Sequence, residues 1–200
     1  VYGNTSKKII ENNYFMPSTP YANSRAACDY HLLNLYKEFN FPVIFTRAAN
    51  VYGPTQQLYR IIPKTIISIK KNLKLKLDGG GNSKRSFINI MDVNQALLKI
   101  CKDGKNGETY HISTNKYLTI KSLVKKICKH MNVKFENITQ IVPDRIGKDK
   151  NYILDSNKLR KNFNWKESLD LDDGIEEVIK WIEENYTSIK KDKLYYEHKE

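Results

Sequence analysis

Val43-Ile44-Phe45-Thr46-Arg47-Ala48-Ala49-Asn50-Val51-Tyr52-Gly53-Pro54 is the stretch that decides how the chain folds. Residues 43–46 are β-branched or aromatic, which predicts a short buried strand. The residues from Arg47, closed by Gly53-Pro54, predict a loop at its carboxyl end. Upstream, Ser18-Thr19-Pro20 is a helix entrance with proline pre-set for the first turn. Cys28, Leu32, Leu35 and Phe39 recur at helical spacing to about Asn40, and Phe41-Pro42 ends that helix. Helix, strand, then polar loop is the α/β arrangement. In open α/β sheets, ligands bind at the carboxyl ends of the strands.

Working outward, the pattern predicts a helix over 60–71 with Pro63 in its first turn. A strand follows over 73–77, then a turn at 79–82 and a strand over 86–90. Asp92 is read as the cap of a helix to about Lys102. A strand over 108–112, a helix from the Thr119 cap to about Met131 and a strand over 139–142 come next. Helices over 158–163 and 172–186 precede a charged tail. Gly79-Gly80-Gly81 is followed by a strand rather than a helix, so it lacks the context of a phosphate-binding loop and reads as a tight hairpin. Trp165 and Trp181 are expected in the core.

The chain has 200 residues and a net charge of +12, and its 40% hydrophobic content is that of a globular chain. The lysines are spread along its whole length, and the densest stretch, Lys70 to Lys76, alternates with Leu73 and Leu75. That is overall composition rather than a nucleic-acid patch, and a few arginines suffice for a small anionic ligand. No nucleic-acid partner is expected. No apolar run approaches the roughly 20 residues that span a bilayer, and no signal peptide is visible. A cytoplasmic protein without a membrane partner is therefore expected. Cys28, Cys101 and Cys128 are far apart without metal-ligand spacing, and are read as buried free thiols with no metal. Val1-Tyr2-Gly3, without methionine, reads as the start of a fragment.

Tyr21 and Arg25 are candidates for chemistry. At i and i+4 they share a helix face. A fixed cation beside a phenol favours the phenolate, which suits acid–base work near neutral pH. The alternative is a helix-start tyrosine and a solvated surface charge.

Four motifs together resemble the nucleotide-sugar branch of the extended short-chain dehydrogenase/reductase family. Val1-Tyr2-Gly3 is similar to the segment after that family's catalytic Ser/Thr strand. Tyr21 to Arg25 resembles its Tyr-x-x-x-Lys, with arginine for lysine. Asn50-Val51-Tyr52-Gly53-Pro54 and Arg85-Ser86-Phe87-Ile88-Asn89-Ile90-Met91-Asp92-Val93 resemble two more of its motifs. A fifth, Asp144-Arg145-Ile146-Gly147-Lys148-Asp149 with Tyr152 and Asp155, is similar to that of the dTDP-glucose 4,6-dehydratases, as are Asn164-Trp165-Lys166 and the ending from Gly174 to Trp181.

The resemblance implies an α/β fold: the C-terminal part of a Rossmann-type doubly wound sheet plus a small α/β substrate-binding domain. Residues 1–57 would be the last part of the NAD-binding domain. Residues 58–187 would be mainly the sugar-nucleotide region, with some segments returning to the Rossmann sheet, and 188–200 a charged tail. The glycine-rich NAD loop and the acid–base carboxylates would lie before Val1, so this chain alone is expected to hold NAD weakly and to be inactive. The implied activity is a dehydratase that makes a 4-keto-6-deoxy sugar nucleotide through an internal NAD redox cycle. Tyr21 and Arg25 would be catalytic and, with Ala48, contact NAD. Asn50, Arg60, Arg85, His111, Arg145 and Lys148 would bind the nucleotide sugar.

Arginine at 25, Asp78 where an aromatic residue is usual, His111 where asparagine is frequent and Lys148 where histidine is usual depart from the pattern. His111 is alternatively a satisfied strand histidine. Competing functions are a UDP-sugar 4-epimerase or decarboxylase, and a non-catalytic sugar-nucleotide or NAD binder. A homodimer is expected for the full-length enzyme, formed by the Tyr21 helix and the one before it; Cys28, Leu32, Leu35 and Phe39 would serve that interface or the core.

Overall fold

The computed structural model describes residues 1–3, 7–144 and 151–196. In chain order its elements are α1 (Pro20–Phe39), β1 (Phe45–Ala48), β2 (Asn50–Tyr52), α2 (Ile61–Lys70), β3 (Leu75–Asp78), β4 (Lys84–Arg85), β5 (Phe87–Asn89), α3 (Ile90–Asp103) and β6 (Thr109–Ile112). They continue with β7 (Leu118–Thr119), α4 (Ile120–His130), α5 (Phe135–Ile138), β8 (Thr139–Val142), β9 (Asn151–Tyr152), α6 (Asn157–Phe163) and α7 (Leu171–Ile189). Packing divides the chain into two units. The first holds Val1–Val51, Ser83–Tyr117 and Ile146–Ser168; the second holds Tyr52–Asn82, Leu118–Arg145 and Leu169–Glu200.

In the first unit β1 runs parallel to β6, from Phe45 opposite Thr109 to Ala48 opposite Ile112. All four β6 residues are buried, as expected of a parallel strand covered on both faces. β4 pairs in parallel with β9, and β2 pairs with β5. Ile88, Val93, Ala96, Ile100, Tyr110, Ile112, Leu159 and Trp165 close the core beneath these strands. The strand expected at 43–46 lies two residues later, so the loop expected from Arg47 is strand through Ala48 and again from Asn50.

One further reading is corrected in this unit. Asn89, not Asp92, caps α3, accepting from the Met91 amide. Asp92 is buried inside the helix and accepts from the Ser168 amide and hydroxyl at 2.8 and 2.7 Å. The apolar stripe of α1, read as serving an interface or the core, does not face the core of this unit. At about 100° per residue, Ala26 and Leu33 coincide on one side, and they are the helix's buried residues. The stripe falls opposite: Cys28 and Phe39 are exposed, while Leu32 and Leu35 are half-buried.

In the second unit β3 and β8 pair in parallel, Leu75 opposite Thr139. Leu75, Leu77, Val124, Cys128 and Ile138 form its core. Since β3 pairs with β8 and β4 with β9, the glycines at 79–81 do not close a hairpin. They form a 3₁₀ turn whose three residues all have positive φ, a conformation open to glycine at little cost. α4 and α7 are tied by Lys126 and His130, which both reach Asp172, and His130 also reaches Glu176 at 3.1 Å. Hydrogen bonds from Lys126 and His130 hold the Asp172 carboxyl below the usual carboxylate range. Of the cysteines only Cys128 is buried, because α1 and α3 turn Cys28 and Cys101 outward. Trp165 is buried and Trp181 half-buried.

Gly174 on α7 leaves room for Tyr52. A Cβ there would lie 2.2 Å from the Tyr52 hydroxyl oxygen and 2.9 Å from its ring, and Tyr52 is itself buried. Overpacking of this kind costs about 1–3 kcal/mol, against a helix-propensity gain of about 1 kcal/mol for alanine. Gly174→Ala is expected to lower the urea midpoint of unfolding, and Tyr52→Phe in the same background to recover part of the loss. An unchanged midpoint in the single variant would count against this packing.

Candidate active site

Thr19 caps α1, its hydroxyl accepting from the Ala22 amide at 3.1 Å, and Pro20 opens the helix. That start places Tyr21 in the first turn and Arg25 one turn on. Tyr21 is 76% exposed, and Arg25 is exposed. Neither side chain has a hydrogen-bond or ion-pair partner among the described residues. An open phenol and an open guanidinium thus share one face of a helix.

The strand ends supply the rest of the first unit's candidates. Ala48, half-buried, ends β1 opposite Ile112, and the Ala49 amide donates to the Ile112 carbonyl at 2.9 Å. The half-buried Asn50 opens β2, its amide donating to the Ser86 carbonyl at 3.1 Å. Arg85 ends β4 opposite Tyr152 and donates to the Lys84 carbonyl. The structure therefore places Ala48, Asn50, Arg85 and His111 on strands of one unit. Arg60 belongs to the second unit, at the start of α2, with its guanidinium 5.4 Å from the centre of the Tyr59 ring. Arg145 and Lys148 lie outside the described residues. Those residues include no cluster of three His, Cys, Asp or Glu side chains able to hold a metal, and no helix among them is long and apolar enough to cross a membrane.

His111, assigned from the resemblance as a sugar-nucleotide ligand, is fully buried with both ring nitrogens engaged. Nδ1 lies 3.2 Å from the Asp155 carbonyl, which can only accept, so Nδ1 carries the proton. Nε2 is then the acceptor for the Tyr2 hydroxyl at 2.8 Å. Burial first, and the Arg47 charge second, lower the histidine's pKa to about 4. Burial raises that of Tyr2, with Arg47 opposing. The imidazole is a neutral link in the strand layer, and the reading of a satisfied strand histidine fits it better than a ligand.

Sequence reasoning passed over Arg47. It lies next to His111 in the β1–β6 register and its side chain is 8% exposed. Nη2 donates to the Asp29 carboxylate of α1 at 2.6 Å, while the guanidinium carbon sits 5.3 Å from the centre of the Tyr2 ring and 5.0 Å from that of Phe15. Nε and Nη1 make no hydrogen bond among the described residues. The available signal was a charge inside a β-branched and aromatic run.

The His111 shift sets a pH dependence. Its folded pKa, about 4, lies below the unfolded value of 6.5, so the unfolded chain takes up the proton first as pH falls. The contribution is fully present above about pH 6.5 and is lost towards pH 4, about 3 kcal/mol in all. Urea midpoints at pH 7 and pH 4.5 should converge in His111→Asn relative to the parent. A parent-like slope in the variant would remove His111 as the cause.

Comparison with known proteins shows the family. A protein-family model described as GDP-mannose 4,6 dehydratase matches residues 1–178. The dTDP-D-glucose 4,6-dehydratase of Homo sapiens is 33% identical over 192 residues, covering 93% of this chain and 55% of that protein. The crystal structure of a Streptomyces venezuelae dTDP-glucose 4,6-dehydratase with NAD bound superposes with a TM-score of 0.89 at 27% identity, covering 94% of this chain and 58% of that one. A UDP-glucuronic acid 4-epimerase from Bacillus cereus, at 22% identity over 93% of this chain and 59% of that one, shares the fold with a TM-score of 0.87. The chain spans about half the length of the curated dTDP-glucose 4,6-dehydratases it matches.

Proposed function

The chain belongs to the GDP-mannose 4,6-dehydratase family, and from that premise we propose that the full-length protein is an NAD-dependent nucleotide-sugar dehydratase. Its substrate is dTDP-glucose or a related nucleoside diphosphate hexose, and its product the 4-keto-6-deoxy sugar nucleotide. The observation that carries this reading is the exposed Tyr21–Arg25 pair on α1, in a chain 33% identical to a dTDP-glucose dehydratase.

NAD, when bound, supplies the acceptor and donor of hydride. Tyr21 and Arg25 fit its ribose hydroxyls because both groups are open, and Ala48 offers a small side chain at the end of β1. In the proposed step the Tyr21 oxygen takes the proton of the sugar's 4-hydroxyl, and Arg25 stabilises the negative charge on that oxygen. The planar guanidinium replaces an ammonium without reproducing its geometry, so the site works but is retuned. Arg85, with Asn50, binds the diphosphate, since a guanidinium grips such a group with two parallel hydrogen bonds. For Arg60, Arg145 and Lys148 the resemblance alone supports a part in sugar-nucleotide binding. His111 enters as a support for Tyr2 rather than as a ligand. The outward stripe of α1, Cys28 to Phe39, would serve a homodimer of the full-length protein.

The test is turnover of dTDP-glucose and UDP-glucose by the full-length protein with NAD, followed by keto-sugar absorbance. Tyr21→Phe should lower kcat by about 10²–10⁴-fold, and Arg25→Lys should change the rate or the acid limb of the pH–rate profile. A 4-epimer formed without loss of water would replace the dehydratase reading with an epimerase. Tight sugar-nucleotide binding without turnover would leave a binding protein.

A further inference from the structure

We propose that Arg47 is a positioning residue: its ion pair with the half-buried Asp29 fixes α1, and with it Tyr21 and Arg25, against the β1–β6 sheet. The inference rests on the proposed role of Tyr21. Asp29 follows Arg25 by one helical turn and Tyr21 by two, so whatever holds Asp29 sets where both side chains point. Arg47 stands one residue before Ala48 and three before Asn50 on the strand run that forms the other wall. A single side chain thus joins the two halves of the candidate site.

Three observations make this bond the determinant of how α1 sits. First, α1 is 20 residues long, yet its buried residues are Ala26 and Leu33. The half-buried Tyr36 also packs on Gly107 towards the helix's carboxyl end, but apolar contacts are not directional and leave the rotation of the first turns to a polar contact. Second, the 2.6 Å bond from Nη2 is the only hydrogen bond or ion pair Arg47 makes with its side chain among the described residues. Third, the guanidinium is immobilised on its other sides. Tyr2 and Phe15 flank it, and Phe15 lies 5.0 Å from Tyr30, the neighbour of Asp29 on α1. Tyr2 is in turn held by His111. Arg47 therefore donates from a fixed point, and among the described residues Asp29 is the one acceptor its side chain reaches.

Arg47 is buried, and the proposal gives it no contact with substrate. Its loss should lower kcat and leave KM for the nucleotide sugar nearly unchanged. A misplacement of about 1 Å in a reacting group costs on the order of 10²-fold in rate. Tyr21 and Arg25 ride on the same helix and move together, so the acid limb of the pH–rate profile should stay in place, unlike in Arg25→Lys.

The decisive variant is the full-length double exchange Asp29→Leu with Arg47→Met. Replacing both members of a buried ion pair by apolar side chains generally preserves folding, whereas removing one strands a charge. The expected result is a cooperative unfolding transition, a kcat lowered by about 10²-fold with KM within about threefold, and faster amide hydrogen exchange over 21–29 than in β1. Arg47→Lys, which keeps the charge and one donor, should recover part of kcat. A folded double variant with parental kcat and parental exchange over 21–29 would overturn the proposal. If the parent turns over no nucleotide sugar, the dehydratase reading fails on its own. Exchange over 21–29 then still decides whether Arg47 fixes α1.

Discussion

The parallel register of β1 on β6 is the constraint from which the first unit is built. It pairs Phe45 with Thr109 and Ala48 with Ile112, and so sets Arg47 beside His111. A slip of β1 by one residue would turn Arg47 to the other face of the sheet while His111 stayed in place, and would bring Thr46 or Ala48 beside the histidine. The buried polar layer would then lose its partners. The same register leaves Ala48 and Asn50 at the carboxyl end of the strand pair, where α/β sheets receive ligands.

The polar layer fixed by this register is unusual in being neutral at one end and charged at the other. Tyr2, His111 and the Asp155 carbonyl form a chain in which each proton has a place. Arg47 and Asp29 carry opposite charges a few ångströms away. These two halves depend on each other. The Arg47 cation adds to burial in keeping His111 unprotonated, and a neutral His111 can accept from Tyr2, whose ring then packs on Arg47. Protonating the imidazole would remove that acceptor and place two cations side by side on adjacent strands, a cost that rises in a low-dielectric interior.

Much of the fold was legible because the signals were local. Thr19-Pro20 and Thr119 mark helix starts that the structure confirms through cap hydrogen bonds, and β8 has the expected bounds. The errors came where a distant partner decides. Asp92 has the chemistry of a cap, but Ser168 claims its carboxylate. The three glycines suit a hairpin, but β3 and β4 each take a parallel partner far along the chain. The α1 stripe was periodic, which left interface and core equally open, and the helix buries its opposite side. Of the candidate site, Tyr21 and Asn50 were legible as motif positions. Arg47 was not, since a positive charge in a strand shows its purpose only when Asp29, Phe15 and Tyr2 converge on it.

The orientation of α1 shows why a polar contact can specify what an apolar one cannot. By hydrophobicity alone, the face bearing Cys28, Leu32, Leu35 and Phe39 is the better one to bury. The helix instead turns inward a face with Ala26, Asp29 and Leu33. Turning Asp29 to a half-buried position without a partner would be costly, and the fixed Arg47 guanidinium offsets that cost. The pair adds little net stability relative to apolar replacements. Its effect is to make one rotation of the helix satisfactory and the others poor. The role proposed for Tyr21 in the first turn needs that kind of constraint, because rolling the helix by one residue would move it by roughly 100° about the axis.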